Sequence, residues 1–372
     1  MAQLGAALLR ADPLADAVVS EAFRKLQPGR GWAQVQRALD RGIASVPDAH
    51  PAIAALFTQV EQVPSFVDWE VLDRAGALLL RTGYFGGLVL GLYSLPYGYA
   101  SPAGNKPLAL SGRLIEQAPR RLFETARFVH AACLPGALLR GGEAFKIAVK
   151  VRLMHAQVRR LLWDSGRWSR DAWGEPINQH DMSATTLLFS LVVLDGIRKL
   201  GFRVTTREAE DYTQLWRYVG WLMGAELELL PSTEVEAVRL AQLIMATQGE
   251  PDEDARALTR ALLGVGGQAA HGDFERRRAA VARYFTRVVA HRLLGRELAV
   301  KLGVPRSPLE PLFPLVRGGI GAAERVRGFS SRAHRFAVSL GNRYWEQLIE
   351  TGLEGKPAEF GPPPRLSTRP AS

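Results

Sequence analysis

The sequence has one cysteine, Cys133, among 372 residues. A lone cysteine cannot form an intramolecular disulfide, so the chain carries no sign of an oxidising compartment, and we expect Cys133 to be a small buried side chain. Hydrophobic residues make up 47% of the chain, which is enough for a sizeable core without disulfide or metal staples. The composition therefore indicates a globular protein.

Long hydrophobic runs and secretory signals are also lacking. The longest apolar stretch, 83–94 (GYFGGLVLGLYS), is shorter than the ~20 residues of a membrane-spanning helix. The start, MAQLGAALLRADPLADAV, has no charged region before its apolar run, and Arg10, Asp12 and Pro13 interrupt that run. We therefore predict a cytoplasmic protein with no integral membrane segment.

Lysine is scarce, because only seven of the 47 basic residues are lysines, although the net charge is +10. The arginines are spread through the helical segments and mixed with acidic residues. They are not interleaved with exposed aromatic residues, as they would be in a protein that binds single strands. We predict no nucleic-acid partner.

Several motifs of metal and nucleotide sites are missing. None of the seven histidines has a glutamate three residues before it, which excludes the Glu-x-x-His repeats of di-iron bundles. No H-E-x-x-H zinc motif occurs. Residues 264–269 (GVGGQA) match G-x-G-x-x-A, but a helical pattern precedes them where a nucleotide site needs a strand. We interpret this stretch as a loop.

Helical periodicity runs through nearly the whole chain, so the fold class predicted is all-α. We expect a single domain over residues 1–352, with 1–64 as a leading helical cap, and a flexible Pro-rich tail over 353–372. Asn178 and Thr205 or Thr206 are predicted to cap helices. The predicted helices cover 16–26, 32–43, 50–60, 69–82, 83–99, 106–117, 119–134, 143–163, 182–200, 206–224, 233–247, 252–263, 276–294 and 322–348.

The pattern at 143–163 (EAFKIAVKVRLMHAQVRRLLW) is the clearest of these helices, and it carries His155 in the middle of its apolar stripe. Arg152 and Arg159 lie within a turn of His155. One interpretation is a core histidine hydrogen-bonded to a backbone carbonyl. The other is a haem ligand, with the two guanidinium groups at the propionates.

The preceding helix places Arg121, Thr125 and Phe128 at i, i+4 and i+7, so that they share one face. An ordinary amphipathic helix, with Arg121 in a salt bridge and Thr125 bonded to its own backbone, would look the same. Periodicity alone does not choose between a site and a surface.

Four motifs together resemble the haem-dependent oxygenases that include the latex clearing proteins and the MpaB-type oxygenases. They are R-x-x-x-T (121–125), VRLMHAQVR (151–159), WGEPINQ (173–179) and WRYVGWLMG (216–224). The resemblance covers roughly 65–345. It implies a globin-like helical core around a haem b, with His155 as proximal iron ligand and Arg121 and Thr125 on the distal side near dioxygen.

The sequence departs from the rubber-cleaving members at two positions. They have a lysine where Glu124 stands, and a catalytic glutamate in the stretch around Asn105, where this chain has no acid and the nearest is Glu116. We therefore predict an oxygenase (an oxidoreductase) that acts with dioxygen on a smaller hydrophobic molecule, isoprenoid or lipid-like, with Glu124 as a further catalytic residue. The alternatives are a non-catalytic haem sensor or carrier, a polyisoprene-cleaving dioxygenase and a helical interaction protein.

Overall fold

In a computed structural model, residues 2–111, 118–264, 273–361 and 366 are described. Within these residues the secondary structure is helical and no strand occurs, which confirms the all-α prediction. Short π turns (Val18–Ala22, Leu90–Ser94) and 3₁₀ turns (Ile43–Ser45, Leu227–Leu229, Glu310–Leu312) join some of the helices. The α-helices are α1 (Ala2–Ala7), α2 (Pro13–Ala17), α3 (Phe23–Lys25), α4 (Arg30–Arg41), α5 (Pro51–Glu61), α6 (Trp69–Ala75), α7 (Ala77–Leu80), α8 (Tyr84–Val89), α9 (Leu95–Tyr99), α10 (Lys106–Ser111), α11 (Ala118–Ala132), α12 (Glu143–Asp164), α13 (Arg170–Trp173), α14 (Gln179–Phe189), α15 (Leu191–Lys199), α16 (Thr206–Leu222), α17 (Glu234–Met245), α18 (Glu253–Gly264), α19 (Asp273–Leu294), α20 (Arg296–Lys301), α21 (Phe313–Gly328) and α22 (Ser331–Gly352).

The helix α12 lies at the centre of the molecule. It packs against α2, α10, α11 and α16, so it is surrounded by other helices along most of its length. The residues from Ala144 to Leu162 that the periodicity placed on its apolar stripe are buried, except that His155 is partly exposed to a cavity. The largest cluster of buried apolar side chains extends from Ala15 to Leu353, so the leading helices pack on the same core as the rest.

Two of the predicted helix starts are confirmed in atomic detail. The side chain of Asn178 accepts a hydrogen bond from the backbone N–H of Asp181, at 2.9 Å, and so caps α14. Thr205 and Glu208 form a reciprocal capping box at the start of α16. Both caps join residues three apart, and this is why the sequence alone reveals them.

Several predicted helices are interrupted, two of them at a serine. The helix expected over 182–200 starts at Gln179 and is interrupted at Ser190, whose hydroxyl donates to the Thr186 carbonyl at 2.8 Å and competes with the helical bonding pattern. The helix expected over 322–348 is two helices, because Ser330 caps α22 through the Ala333 N–H, at 3.3 Å.

The apolar stretch from Trp69 to Tyr99 is bent. No single helix among the described residues is long and apolar enough to span a membrane. The segments Trp69–Leu80 and Tyr84–Tyr99, which meet at 88°, reach that length and apolar composition only when they are taken together. Much of this stretch contributes to the main core. Cys133 is buried, as expected, and burial raises the pKa of its thiol.

Part of the predicted flexible tail makes defined contacts. Leu353 is buried, and residues 357–361 lie against α11, where the Glu124 carboxylate accepts the Glu359 N–H. Residues 362–365 and 367–372 lie outside the described part of the chain, as do Glu116 and most of the predicted loop after Gly264.

Candidate active site

A cavity of about 280 Å³ lies beside the middle of α12, and we call it the His155 cavity. Its walls come from α9, α10, α11, α12 and α14, with contributions from α18 and the tail. Most of the lining consists of apolar side chains. The sequence analysis did not identify these apolar side chains as a group. They include Tyr99, Leu122, Phe128, Val151, Met154, Val158, Met182, Phe189, Met223, Leu262 and Phe360.

His155 is the imidazole in this apolar lining. Burial is the main cause that lowers its pKa to about 3, and the nearby positive charges of Arg159 and Arg121 add to the effect. The imidazole is therefore neutral near pH 7, which is the form that can bind a metal. Among the described residues, the Nδ1 atom of His155 has no hydrogen-bond partner. The hydrogen bond from the ring to a backbone carbonyl, which a core histidine would make, is therefore not observed at that atom.

The predicted face of α11 also contributes to the lining. Arg121, Glu124, Thr125 and Phe128 all line the His155 cavity. The Thr125 hydroxyl donates to the Arg121 carbonyl at 2.9 Å, and Arg121 donates to Glu124 at 2.7 Å. The two local bonds expected of an ordinary amphipathic helix are thus present, but on a face that meets a cavity and not bulk solvent.

Glu124 is held by groups on both of its carboxylate oxygens. One oxygen accepts from Arg121, and the other accepts from Arg120 at 3.3 Å and from the Glu359 N–H at 3.1 Å. Arg120 also donates to the Pro357 carbonyl at 3.1 Å. Glu124 is 1% exposed, and it therefore joins α11 to the tail segment that covers one side of the cavity.

Arg152 and Arg159 point to carboxylates that the sequence analysis did not identify. Arg152 donates to both oxygens of Asp12, at 2.6 and 2.9 Å, and Arg159 donates to Asp16 at 2.7 Å. Neither arginine lines the His155 cavity. Each keeps one buried nitrogen, Nη1 of Arg152 and Nη2 of Arg159, with no partner among the described residues.

Comparison with known proteins identifies the family of this chain. The family model described as "ER-bound oxygenase mpaB/B'/Rubber oxygenase, catalytic domain" matches residues 69–325, which is more than half of the chain. This chain belongs to the mpaB/rubber oxygenase family. The resemblance found in the four sequence motifs is thereby confirmed.

One relative in this family is the rubber oxygenase of Streptomyces sp. (strain K30), which is 26% identical over 280 residues. The match covers 75% of this chain but 65% of that protein, so the chain matches less than two thirds of the relative's length. The solved structure of the latex clearing protein LCP in the closed state has the same fold, with a TM-score of 0.68 at 22% identity over 96% of this chain and 94% of that one.

The family motif WGEPINQ at 173–179 joins the N-terminal segment to the core. The Glu175 N–H donates to the Leu8 carbonyl at 2.8 Å. The Gln179 amide donates to the carbonyls of Ala11 and Gly224, each at 2.9 Å, and accepts from the Glu226 N–H at 2.8 Å. The motif therefore holds the segment that carries Asp12, and with it the partner of Arg152.

The end of the aromatic motif WRYVGWLMG (216–224) closes on the same ion pair. Gly224 has a φ of +91°, and a Cβ atom there would lie 2.3 Å from an Asp12 oxygen and 2.7 Å from Arg152 Nε. At the other end, Trp216 stacks on Phe189 with a centroid distance of 5.0 Å, so it supports the cavity lining from behind. These contacts give the motif a packing role.

Three other histidines are hydrogen-bonded to neighbouring groups. His130 is hydrogen-bonded to Asn342 at 2.7 Å, His180 to Asp181 at 3.1 Å and His291 to the Val304 carbonyl at 2.9 Å. Burial lowers the pKa of His130 as well. None of the three lines the His155 cavity.

Proposed function

We propose that this chain is a haem b-dependent oxygenase that uses dioxygen to oxidise a hydrophobic small molecule of isoprenoid or lipid-like character. The observation that carries the proposal is the neutral imidazole of His155 in a mainly apolar cavity whose lining also includes Arg121 and Thr125 of α11. Haem needs a protein ligand for its iron and apolar contact with the macrocycle, and this cavity offers both. Membership of an oxygenase family supports the same activity.

His155 would be the proximal iron ligand. Its imidazole is uncharged, its Nδ1 atom has no competing partner among the described residues, and the central helix α12 holds it rigidly between other helices. When bound, the haem would supply the iron centre at which dioxygen is held and activated. The chain's own contribution would be to fix the ring and to keep bulk water away from it.

Arg121, Thr125 and Glu124 would shape the polar side of the cavity. The Arg121 guanidinium favours negative charge developing beside it, and Thr125 presents a hydroxyl on the same face. Because both oxygens of Glu124 already accept hydrogen bonds, we assign Glu124 a positioning role. It would fix the orientation of Arg121 and not transfer protons itself.

Arg152 and Arg159 would assist cofactor binding through the N–H groups that Asp12 and Asp16 leave unused. Nη1 of Arg152 and Nη2 of Arg159 are buried donors within one turn of His155. A buried donor without a partner costs free energy, and because neither arginine lines the His155 cavity, a haem propionate would have to extend beyond that lining to relieve this cost. The ion pairs with Asp12 and Asp16 then act as supports that hold both guanidinium groups in place.

The test is reconstitution with haem, followed by visible spectroscopy. We expect the wild-type protein to acquire a Soret band and His155→Ala to lose it or shift it. His130→Ala is the matched control, because His130 is also buried but lies outside the cavity. A His155→Ala protein with the wild-type spectrum would refute the ligand assignment, and a wild-type protein without a Soret band would refute the haem proposal.

Oxygen uptake by the reconstituted protein separates the catalytic alternatives. Uptake that depends on an added terpenoid or lipid supports the oxygenase. Uptake with polyisoprene as the one active substrate would favour the rubber-cleaving alternative, which the relative's name suggests. Haem binding without uptake on any of these compounds would favour a carrier or sensor.

A further inference from the structure

A second cavity of about 560 Å³ adjoins the His155 cavity and has twice its volume. It lies between α9, α14, α17 and α20, and we call it the side chamber. The two cavities share five wall residues, Gly98, Gly104, Asp181, Thr185 and Leu188. The side chamber is therefore next to the proposed reaction site and not a remote surface feature.

The shared wall is narrow at Gly98. A Cβ atom on Gly98 would lie 2.4 Å from Cδ1 of Leu188, so the end of the leucine side chain packs directly on the glycine. The backbone of Leu188 is fixed, because its carbonyl accepts from the Ser94 hydroxyl at 2.8 Å. The movable part of the wall is thus a terminal methyl group, which a change of rotamer can displace.

Much of the lining of the side chamber is apolar. Its lining includes Leu187, Val192, Ile244, Met245, Leu294 and Leu298. Cavities of ~300–1,000 Å³ with mainly hydrophobic walls are typical sites for drug-sized ligands. The chamber has the size and the lining for such a molecule.

The charges of the side chamber do not suit an anionic ligand. Lys301 donates to Glu297 at 2.6 Å and forms an ion pair with Glu250 at 2.8 Å, so its ammonium is shared by two carboxylates. Asp181 adds a third acidic side chain against one further base, Arg296. A carboxylate ligand would meet more acidic than basic groups, whereas an uncharged molecule would not be repelled.

We infer that the side chamber binds the substrate of this enzyme, and that this substrate is an uncharged apolar molecule that reaches the His155 cavity past Leu188. The inference rests on the proposed function. The His155 cavity, at about 280 Å³, lies just below the ~300–1,000 Å³ typical of sites for drug-sized ligands, so it does not hold a cofactor and a substrate of similar size together. The adjoining chamber supplies the missing room.

The experiment measures binding to the haem-free protein, so that it does not depend on activity. The protein is first loaded with the neutral fluorescent dye 1-aminoanthracene. The assay then measures how well farnesol, an uncharged isoprenoid alcohol, or dodecanoate, an anion, displaces the dye. Ala184→Phe and Ala241→Phe put a ring into the side chamber from facing helices, and neither residue lines the His155 cavity. We expect both variants to bind farnesol at least tenfold more weakly, and wild type to prefer farnesol to dodecanoate.

The control is Ala33→Phe on the exposed side of α4, which should bind farnesol like wild type. Haem titration of the same proteins separates the two proposals. Farnesol binding that survives both chamber variants, or tighter binding of dodecanoate, would overturn the inference even if haem binds normally. Loss of farnesol binding in the variants together with no haem binding by wild type would sustain the chamber and refute the haem enzyme.

Discussion

Replacement of Asp12 by asparagine tests how the core helix α12 is held. The Asp12 carboxylate and the Arg152 guanidinium form two hydrogen bonds of 2.6 and 2.9 Å, and their side chains are 8% and 2% exposed. Removing one charge of a buried pair leaves the other uncompensated and costs about 3–5 kcal/mol. Asparagine still caps α2, where the Asp12 side chain accepts from Ala15, so the cap is preserved.

We therefore expect Asp12→Asn to lower the free energy of unfolding of the haem-free protein by about 3 kcal/mol, measured by urea denaturation with circular dichroism. The control is Asp48→Asn. Asp48 pairs with Arg30 at 3.1 Å, but both side chains are more than half exposed, so its loss should change stability far less. The double variant Asp12→Asn with Arg152→Met should be more stable than Asp12→Asn alone, because no buried charge is left unpaired.

Equal losses from Asp12→Asn and Asp48→Asn would refute this reasoning, as would a double variant whose loss is the sum of the single ones. The double variant also addresses the cofactor. It removes the guanidinium as well as the Asp12 charge, so an affinity for haem weaker than that of Asp12→Asn alone would identify Arg152 as a haem contact in its own right. Unchanged affinity would leave Arg152 with a structural role.

Two further predictions concern the cavity itself. The pKa of His155 is about 3 in the folded chain and about 6.5 in the unfolded chain, so protonation of His155 favours unfolding as the pH falls below 6.5. This residue alone should make the haem-free protein about 2 kcal/mol less stable at pH 5 than at pH 7.5. Urea denaturation at both pH values should show a smaller difference for His155→Phe, and an equal difference would contradict the assigned burial. Glu124→Gln should destabilise the protein by about 2 kcal/mol, because Arg120 and Arg121 lose their shared carboxylate. The same variant should make the tail near Glu359 more accessible to limited proteolysis. Unchanged cleavage there would argue against the Glu124 contact.

The sequence was most informative where the interactions are local. The period of α12, the caps at Asn178 and Thr205 and the shared face of Arg121 and Thr125 all depend on residues three to seven apart, and each is present. The break at Ser190 is local too, but a serine in an apolar helical pattern has several available bonding choices. Periodicity cannot choose among them.

The partners of Arg152 and Arg159 could not be predicted in this way. Asp12 and Asp16 lie 140 and 143 positions before their arginines, and no local pattern marks them as a pair. The two aspartates are four residues apart, at the N-cap and within α2, whereas the arginines are seven residues apart on α12, so the spacings do not match and give no sequence signal for the pairing.

The distribution of charge around His155 explains how the two faces of the cavity differ. On the α12 side, the guanidinium groups of Arg152 and Arg159 are directed to Asp12 and Asp16 and do not line the cavity, while the charge of Arg159 still helps to lower the pKa of His155. On the α11 side, Arg121 lines the cavity and its charge is balanced by Glu124. The α12 part of the lining is thus apolar around a neutral imidazole, while the charged side chains of the lining, Arg121, Glu124 and Asp181, come from α11 and α14. In the proposed oxygenase, the Arg121 guanidinium would stabilise negative charge that develops on oxygen.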